Sequence, residues 1–521
     1  MSLRRSLALL ALLLPSTAAA QADAWFSHVS RLAADSMRGR ETGSAEHRKA
    51  AEYIAAGFAR AGLRPAGTEG FFQPVRFTVR RIDESQSRLA LVQRGVAAPI
   101  TLGTEATIGL RGSSAGRVRA PLVFAGYGVL LPDQGLDPLN GLDLRGAVLV
   151  TVQGGVPTGV PGPVIASGRA RFAAAARAAG ALGTIGVASP RADVPWARAS
   201  LARLSPQMQL GDTPDGSAGI AITWNPAHAA LLFADAERSY ADLQALADAG
   251  AALPSFALAA QLDATVNVAE TTVMSDNVIG LLPGTDPALK QEYLVLTAHL
   301  DHVGVGQPIE GDSIYNGAMD NASGIATLLE TAATLGARAE PLKRSVLFVA
   351  VTAEEKGLLG SRWFAEQPTV PSSAIVANLN TDMFLPINPL KHLLVNGLEE
   401  SDLADDVRRA GARVGVTVVT DPEPERNAFV RSDQFSFIRL GMPALSLKVG
   451  FLKDSPEHQR VLRWRQERYH GPKDDLTQPI DRQAAADFNG LYAVIIEEVA
   501  NRSSRPAWFS TSVYKPRVAT P

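Results

Sequence analysis

The chain has 521 residues, room for two or three domains at about 150 residues each, so a single small binding module is excluded. Hydrophobic residues make up 46% and charged residues 20%, a globular composition that excludes global disorder. Lys+Arg 50 against Asp+Glu 52 leave a net charge of −2, with no basic excess for a nucleic-acid partner, and cysteine is absent, so any metal must bind through His, Asp and Glu.

The N-terminus reads as an export signal: Arg4 and Arg5, an apolar run from Leu7 to Leu14, then Ala18-Ala19-Ala20 in the small-x-small pattern that precedes cleavage. Segment 1–20 is therefore expected to be removed, and the mature chain to begin near Gln21 in the periplasm or outside the cell. The run is short of the about 20 apolar residues that span a bilayer, and no later segment has such a run. Residues 45–61 set Ala51, Tyr53, Ile54, Phe58 and Ala61 at helical spacing, with Gly62 as the stop. From 71 to 96, Phe72, Val75, Phe77 and Val79 alternate with polar residues, as in strands at a sheet edge.

Residues 105–262 form a stretch rich in Gly, Ala and Pro with buried-strand runs at 121–124, 147–152 and 183–187 and an alanine-rich helix at 170–181. From Asn277 onward strands and helices alternate: strands at 293–298, 346–351, 375–379 and 444–447, helices at 323–335, 357–364 and 488–499. That alternation predicts an α/β sheet buried on both faces. The tail 503–521 is polar, proline-containing and aperiodic, and reads as partly disordered.

In an open α/β sheet the ligand crevice lies at the carboxyl ends of the strands, and here each strong strand of the second half runs into His or acidic residues. The strand at 293–298 leads to His299-Leu300-Asp301, an imidazole followed two residues on by a carboxylate able to hold its other ring nitrogen. His302 reads as a solvated loop residue. Asp320 precedes a helix, where an aspartate often caps. Glu354 and Glu355 follow the strand at 346–351, where two adjacent carboxylates repel unless a cation lies between them or one holds a proton. Asp382 follows the strand at 375–379, and Tyr469-His470 lie in a late loop. Each has a plain structural explanation alone. Together, two histidines and three carboxylates supply the ligands for two divalent ions, one carboxylate bridging.

The ordered blocks His299-Leu300-Asp301-His302, Gly317-Ala318-Met319-Asp320-Asn321, Ala353-Glu354-Glu355, Asn380-Thr381-Asp382 and Tyr469-His470-Gly471-Pro472 resemble the signatures of metallopeptidase family twenty-eight, the co-catalytic di-zinc aminopeptidases. Asp35-Ser36-Met37-Arg38-Gly39-Arg40 is similar to that family's N-terminal segment. Gly126-Tyr127-Gly128 and Asp143-Leu144-Arg145-Gly146 resemble the protease-associated insert of some members. The resemblance implies a mixed central sheet sandwiched by helices, interrupted by a mainly β insert: a catalytic domain at 21–104 and 263–502 and the insert at 105–262.

The resemblance further implies two zinc ions, with cobalt or manganese as substitutes, and peptide substrates cut by an aminopeptidase. The alternatives are a carboxypeptidase or dipeptidase of the same fold, for which Arg431 could grip a terminal carboxylate, and a metal-free binding protein. His299 and Asp382 would bind one ion, Glu355 and His470 the other, and Asp320 both. Asp301 would orient His299, Glu354 would act as general acid and base, and Tyr469 would donate a hydrogen bond to the substrate carbonyl. The Asp320-Asn321 peptide would be cis. Gln434 stands where many members have His, a difference expected to touch the substrate pocket.

Overall fold

The computed structural model describes residues 17–110, 116–153, 160, 162–190, 195–211 and 219–516. They divide into two compact units, Met1–Arg76 with Met274–Pro521, and Phe77–Val273. Residues 1–16 of the expected export signal lie outside the described residues.

The main sheet of the first unit includes β1 (Val268–Leu282), whose first residues lie in the second unit, β2 (Tyr293–His299), β3 (Ser345–Val351), β4 (Ile375–Asn380), β5 (His392–Asn396), β6 (Thr417–Val419) and β7 (Ala444–Val449). They follow the spatial order β6-β5-β7-β4-β2-β3-β1. The central four, β7, β4, β2 and β3, are mutually parallel, while β1 and β5 join antiparallel. β3 and β4 are buried at every position, as a strand covered on both faces must be.

The helices of this unit include α1 (Thr17–Leu32), α2 (Ala45–Arg60), α3 (Ser323–Gly336), α4 (Leu359–Glu366) and α5 (Arg482–Asn501). Side chains alternate along β2: Leu294, Leu296 and Ala298 enter a core with Trp25, Phe58, Leu328 and Ile495, whereas Val295 meets Val349, Val351, Phe364 and Phe437 on the opposite face. The sheet is therefore a layer between helices. Under the loop that follows β4, Phe384 stacks on Phe488 at 4.3 Å and meets Trp25 edge-on at 5.7 Å. Burying each such ring is worth about 1.5–3 kcal/mol.

The tail corrects an expectation. Residues 503–516 are ordered against the first unit: Trp508 is buried beside Ile438 and Ala444 and donates through Nε1 to the Gly441 carbonyl at 2.8 Å. Scattered aromatics anchor this segment without any periodicity to announce it.

The second unit carries an eight-stranded sheet whose centre, Gly116–Ala125, Val148–Val152, Gly183–Val187 and Ile220–Trp224, is parallel. The helix Gly162–Ala178 makes one crossover that parallel pairing requires. This unit is wider than the 105–262 expected. Arg88–Gln93 pairs with Ser255–Val266, and Val96–Ile100 pairs with Arg88–Gln93, so both strands belong to this unit's sheet. Among the described residues, no helix is long and apolar enough to cross a membrane.

His47 of α2 is buried, its ring 2.9 Å from the Thr352 hydroxyl just beyond β3 and 3.2 Å from that of Ser275. Burial lowers its pKa to about 3, helped by Arg40 and Arg48. The unfolded chain takes up this proton as pH falls through about 6.5, so the stabilisation is full above that value and is lost progressively towards pH 3. Wild type should lose about 2 kcal/mol more between pH 7 and 5 than His47→Gln, measured by chemical unfolding at each pH. Equal losses would remove His47 from the account.

Candidate active site

The carboxyl ends of β2, β3 and β4 deliver His299, the Glu354-Glu355 turn and Asp382 to one edge of the sheet. The segment 317–322 and the loop after residue 467 close over them. His299, Asp320 and Asp382 are all buried. Nε2 of His299 stands 3.2 Å from Asp320 Oδ1 and 3.3 Å from Asp382 Oδ1. Nε2 of His470 stands 3.2 Å from Asp320 Oδ2 and 3.2 Å from Glu355 Oε2. The two oxygens of Asp320 thus face two histidines, and the five residues singled out from the sequence as ligands meet at one centre. Among the described residues, two groups of potential ligand atoms, each within 4.8 Å of one another, share Asp320: His299 with Asp382, and His302 with Glu355.

His302 is a correction. It is fully buried rather than solvated, and Nδ1 contacts Glu355 Oε1 at 2.8 Å. The chain turns inward after β2, bringing the His302 amide to the Arg40 carbonyl, and the ring packs on the backbone of Gly317, where a Cβ would strike it. Asp301 also acts differently from expectation. Its carboxylate accepts the amides of Glu354 and Glu355 at 3.1 and 3.3 Å and the Thr42 hydroxyl at 3.1 Å. His299 Nδ1 instead meets the Asp301 backbone carbonyl at 3.1 Å, with the carboxylate at 3.9 Å. That carbonyl fixes the proton on Nδ1 and leaves the Nε2 lone pair for the centre.

The donor set suits divalent ions. Imidazole nitrogens and carboxylate oxygens are zinc's usual donors in the absence of thiolate, and carboxylates this close repel one another unless cations compensate them. Burial pulls His470 down, but Asp320 and Glu355 outweigh it and raise the ring to about 10; the same field favours any cation. Asp320 and Glu355 lie well below the ordinary carboxylate range, burial being overcome by hydrogen bonds from the histidines. Glu354 is driven the other way. Burial raises it well above its ordinary value against the attraction of His299, with Asp382, Asp433 and Glu355 adding repulsion.

Tyr469 stacks on His470 with ring centroids 3.9 Å apart and lines, with Glu354 and Asp382, a pocket beside the centre. Gln434 lies behind that pocket, accepting from Asn380 Nδ2 at 2.8 Å and donating to the Phe429 carbonyl at 2.8 Å. Its departure from the family pattern therefore bears on packing rather than on the pocket lining.

Two further groups position the centre. Arg40, buried, donates to the carbonyls of Leu32, Asn316, Leu300 and Gly317 at 2.7–3.0 Å, tying the end of α1 to the loops that carry His299 and Asp320. Asp474 escaped the sequence reading although it lies four residues beyond His470. Its two oxygens accept the amides of Met319 and Asp320 at 2.9 and 3.0 Å. The Asp320-Asn321 peptide is cis, and Asn321 spans from the Thr381 carbonyl to the Gly324 amide.

A mixed sheet between helices carries, at its parallel carboxyl edge, an acidic and imidazole cluster suited to divalent cations. The solved aminopeptidase from Aneurinibacillus sp. strain AM-1 shares the fold, with a TM-score of 0.56 and 18% identity over 95% of this chain and 96% of that one. Residues 277–496 match the family model of peptidase family M28. It is similar to aminopeptidase YwaD of Bacillus subtilis (strain 168), 26% identical over 48% of this chain and 50% of that protein. It is also similar to leupeptin-inactivating enzyme 1 of Streptomyces exfoliatus, 30% identical over 33% of this chain and 36% of the relative. The matches thus span half or less of these curated relatives' length.

Replacing Asp474 with Asn turns one acceptor into a donor facing a buried amide, at a cost of about 1–3 kcal/mol. Asp474→Asn should bind zinc at least tenfold more weakly than wild type in a chelator competition. Undiminished affinity would show that Asp474 does not hold the Asp320 segment in place.

Proposed function

We propose that the protein is an exported di-zinc aminopeptidase that removes N-terminal residues from peptides. The observation that carries this reading is Asp320, whose oxygens stand at equal distance from His299 and His470, with Asp382 and Glu355 beyond them. That arrangement suits a bridging carboxylate between two ions. His299 and Asp382 would hold one, Glu355 and His470 the other, with His302 keeping Glu355 in place; cobalt or manganese would suit the same donors. Export is our reading of segment 1–20, and Phe77–Val273 is our candidate for a protease-associated insert.

Bound zinc would supply Lewis acidity at the scissile carbonyl and lower the pKa of a nearby water. The remaining work belongs to the chain. Glu354, beside the cluster and lining the pocket, takes the proton of the attacking water and passes it to the leaving amine. Its raised proton affinity suits the second transfer as well as the first. Tyr469 donates its hydroxyl to the carbonyl oxygen as negative charge develops there. Asp301 holds the amides of Glu354 and Glu355, so base and ligand are aimed by one carboxylate.

The zinc-loaded protein should cleave leucine p-nitroanilide and leave its N-acetyl derivative intact. Glu354→Gln should retain zinc by elemental analysis while kcat falls by ~10²–10⁴. Asp320→Ala should lose metal. Undiminished turnover in the first variant, or two ions retained in the second, would overturn the assignment.

A further inference from the structure

The pocket beside the candidate centre has an unbalanced charge. Apart from the carboxylates of the cluster it is lined by Asp421 and Glu423 against four cations, Arg426, Arg431, Lys448 and Arg465. Glu423 is already engaged, 2.6 Å from Arg465 and 3.9 Å from Arg426. Arg431 is exposed, and Lys448 points into the pocket with no ion pair or hydrogen bond among the described residues. The sheet fixes Lys448 there. β7 pairs Ser446 with Asn380 at the end of β4, and Lys448, two residues on, lines the same pocket as Asp382. Asp382 is committed to the centre, which leaves the ammonium without a carboxylate of its own. The walls around it, Met383, Leu385, Val461 and Trp464 among them, are apolar and exclude the water that would otherwise solvate it.

We propose that Lys448, assisted by Arg431, binds a carboxylate of the substrate and makes the enzyme prefer peptides that present one near the scissile bond. The inference rests on the peptidase reading for its catalytic consequence. The carboxylate is that of an acidic side chain next to the scissile bond or that of the peptide's C-terminus, and two substrate pairs distinguish them. The first is glutamyl against glutaminyl p-nitroanilide, the second Leu-Ala against Leu-Ala amide.

With zinc-loaded protein, kcat/KM should favour the carboxylate member of one pair by about tenfold or more, chiefly through KM. Lys448→Met should abolish that ratio and Lys448→Arg should retain it, which separates lost charge from lost folding. A glutamyl preference identifies the side chain as the source, and a Leu-Ala preference identifies the terminus. Ratios near one in both pairs, or a preference that survives Lys448→Met, would overturn the proposal. Calorimetric titration with glutarate gives an answer even if no peptide is cleaved, when only the peptidase reading would fall. Binding at least tenfold weaker in Lys448→Met than in wild type supports the site, and equal affinity overturns it.

Discussion

The site depends on one electrostatic constraint: Asp320, Glu355 and Asp382 converge in a space with little water, and only nearby positive charge makes that arrangement tolerable. Asp320 relieves the strain by dividing its oxygens between two histidines, which turns a repulsive cluster into two neighbouring binding sites. Sheet order makes the convergence possible. β3, β2 and β4 are adjacent and parallel, so their carboxyl ends release His299, Glu355 and Asp382 within neighbouring strand spacings of about 4.8 Å. The antiparallel β1 and β5 present no ligand at this edge.

A cluster of this kind needs a frame stiffer than the forces inside it. Arg40 supplies part of that frame by satisfying four carbonyls from three separate segments with one buried guanidinium. Burial lowers its pKa to about 10 although Asp474 and Asp301 oppose the fall, so it stays charged at neutral pH. Removing it would leave carbonyls unpaired in a dry environment, at roughly 1–3 kcal/mol for each group that finds no partner. Asp474 frames the opposite side of the Asp320 segment. An internal cation and an internal anion, neither a candidate ligand, thus brace the loops that carry the ligands.

The legible parts of the sequence were those with a strong local pattern. The apolar runs of β2, β3 and β4 and the polar residues at their ends fixed both the layer architecture and the chemical edge, because a strand buried on both faces leaves few other places for His and Glu. His302 was misread because a histidine one step past a strand and an aspartate looks like any loop residue; only the contact with Gly317, fifteen positions away, shows the turn inward. The role of Asp301 depended on whether carbonyl or carboxylate reached the ring, a choice set by loop geometry that spacing does not encode. Asp474 and the packed tail share this difficulty, since their partners lie far off in sequence and no periodicity marks them.

The register between β4 and β7 fixes which side chains of β7 stand beside the candidate centre. Side chains alternate along β7, so Leu445 and Leu447 enter the core while Ser446 and Lys448 line the pocket. A slip of one residue would bury the ammonium in the core and turn a leucine towards Asp382, a change the apolar packing of Leu445 and Leu447 opposes. Hydrophobic pairing on one face therefore determines which charge stands beside the candidate metal ligands on the other. The charge beside the candidate centre is thus set by a strand of the central sheet as well as by the loops, and the proposed selectivity would rest on the same sheet that positions the cluster.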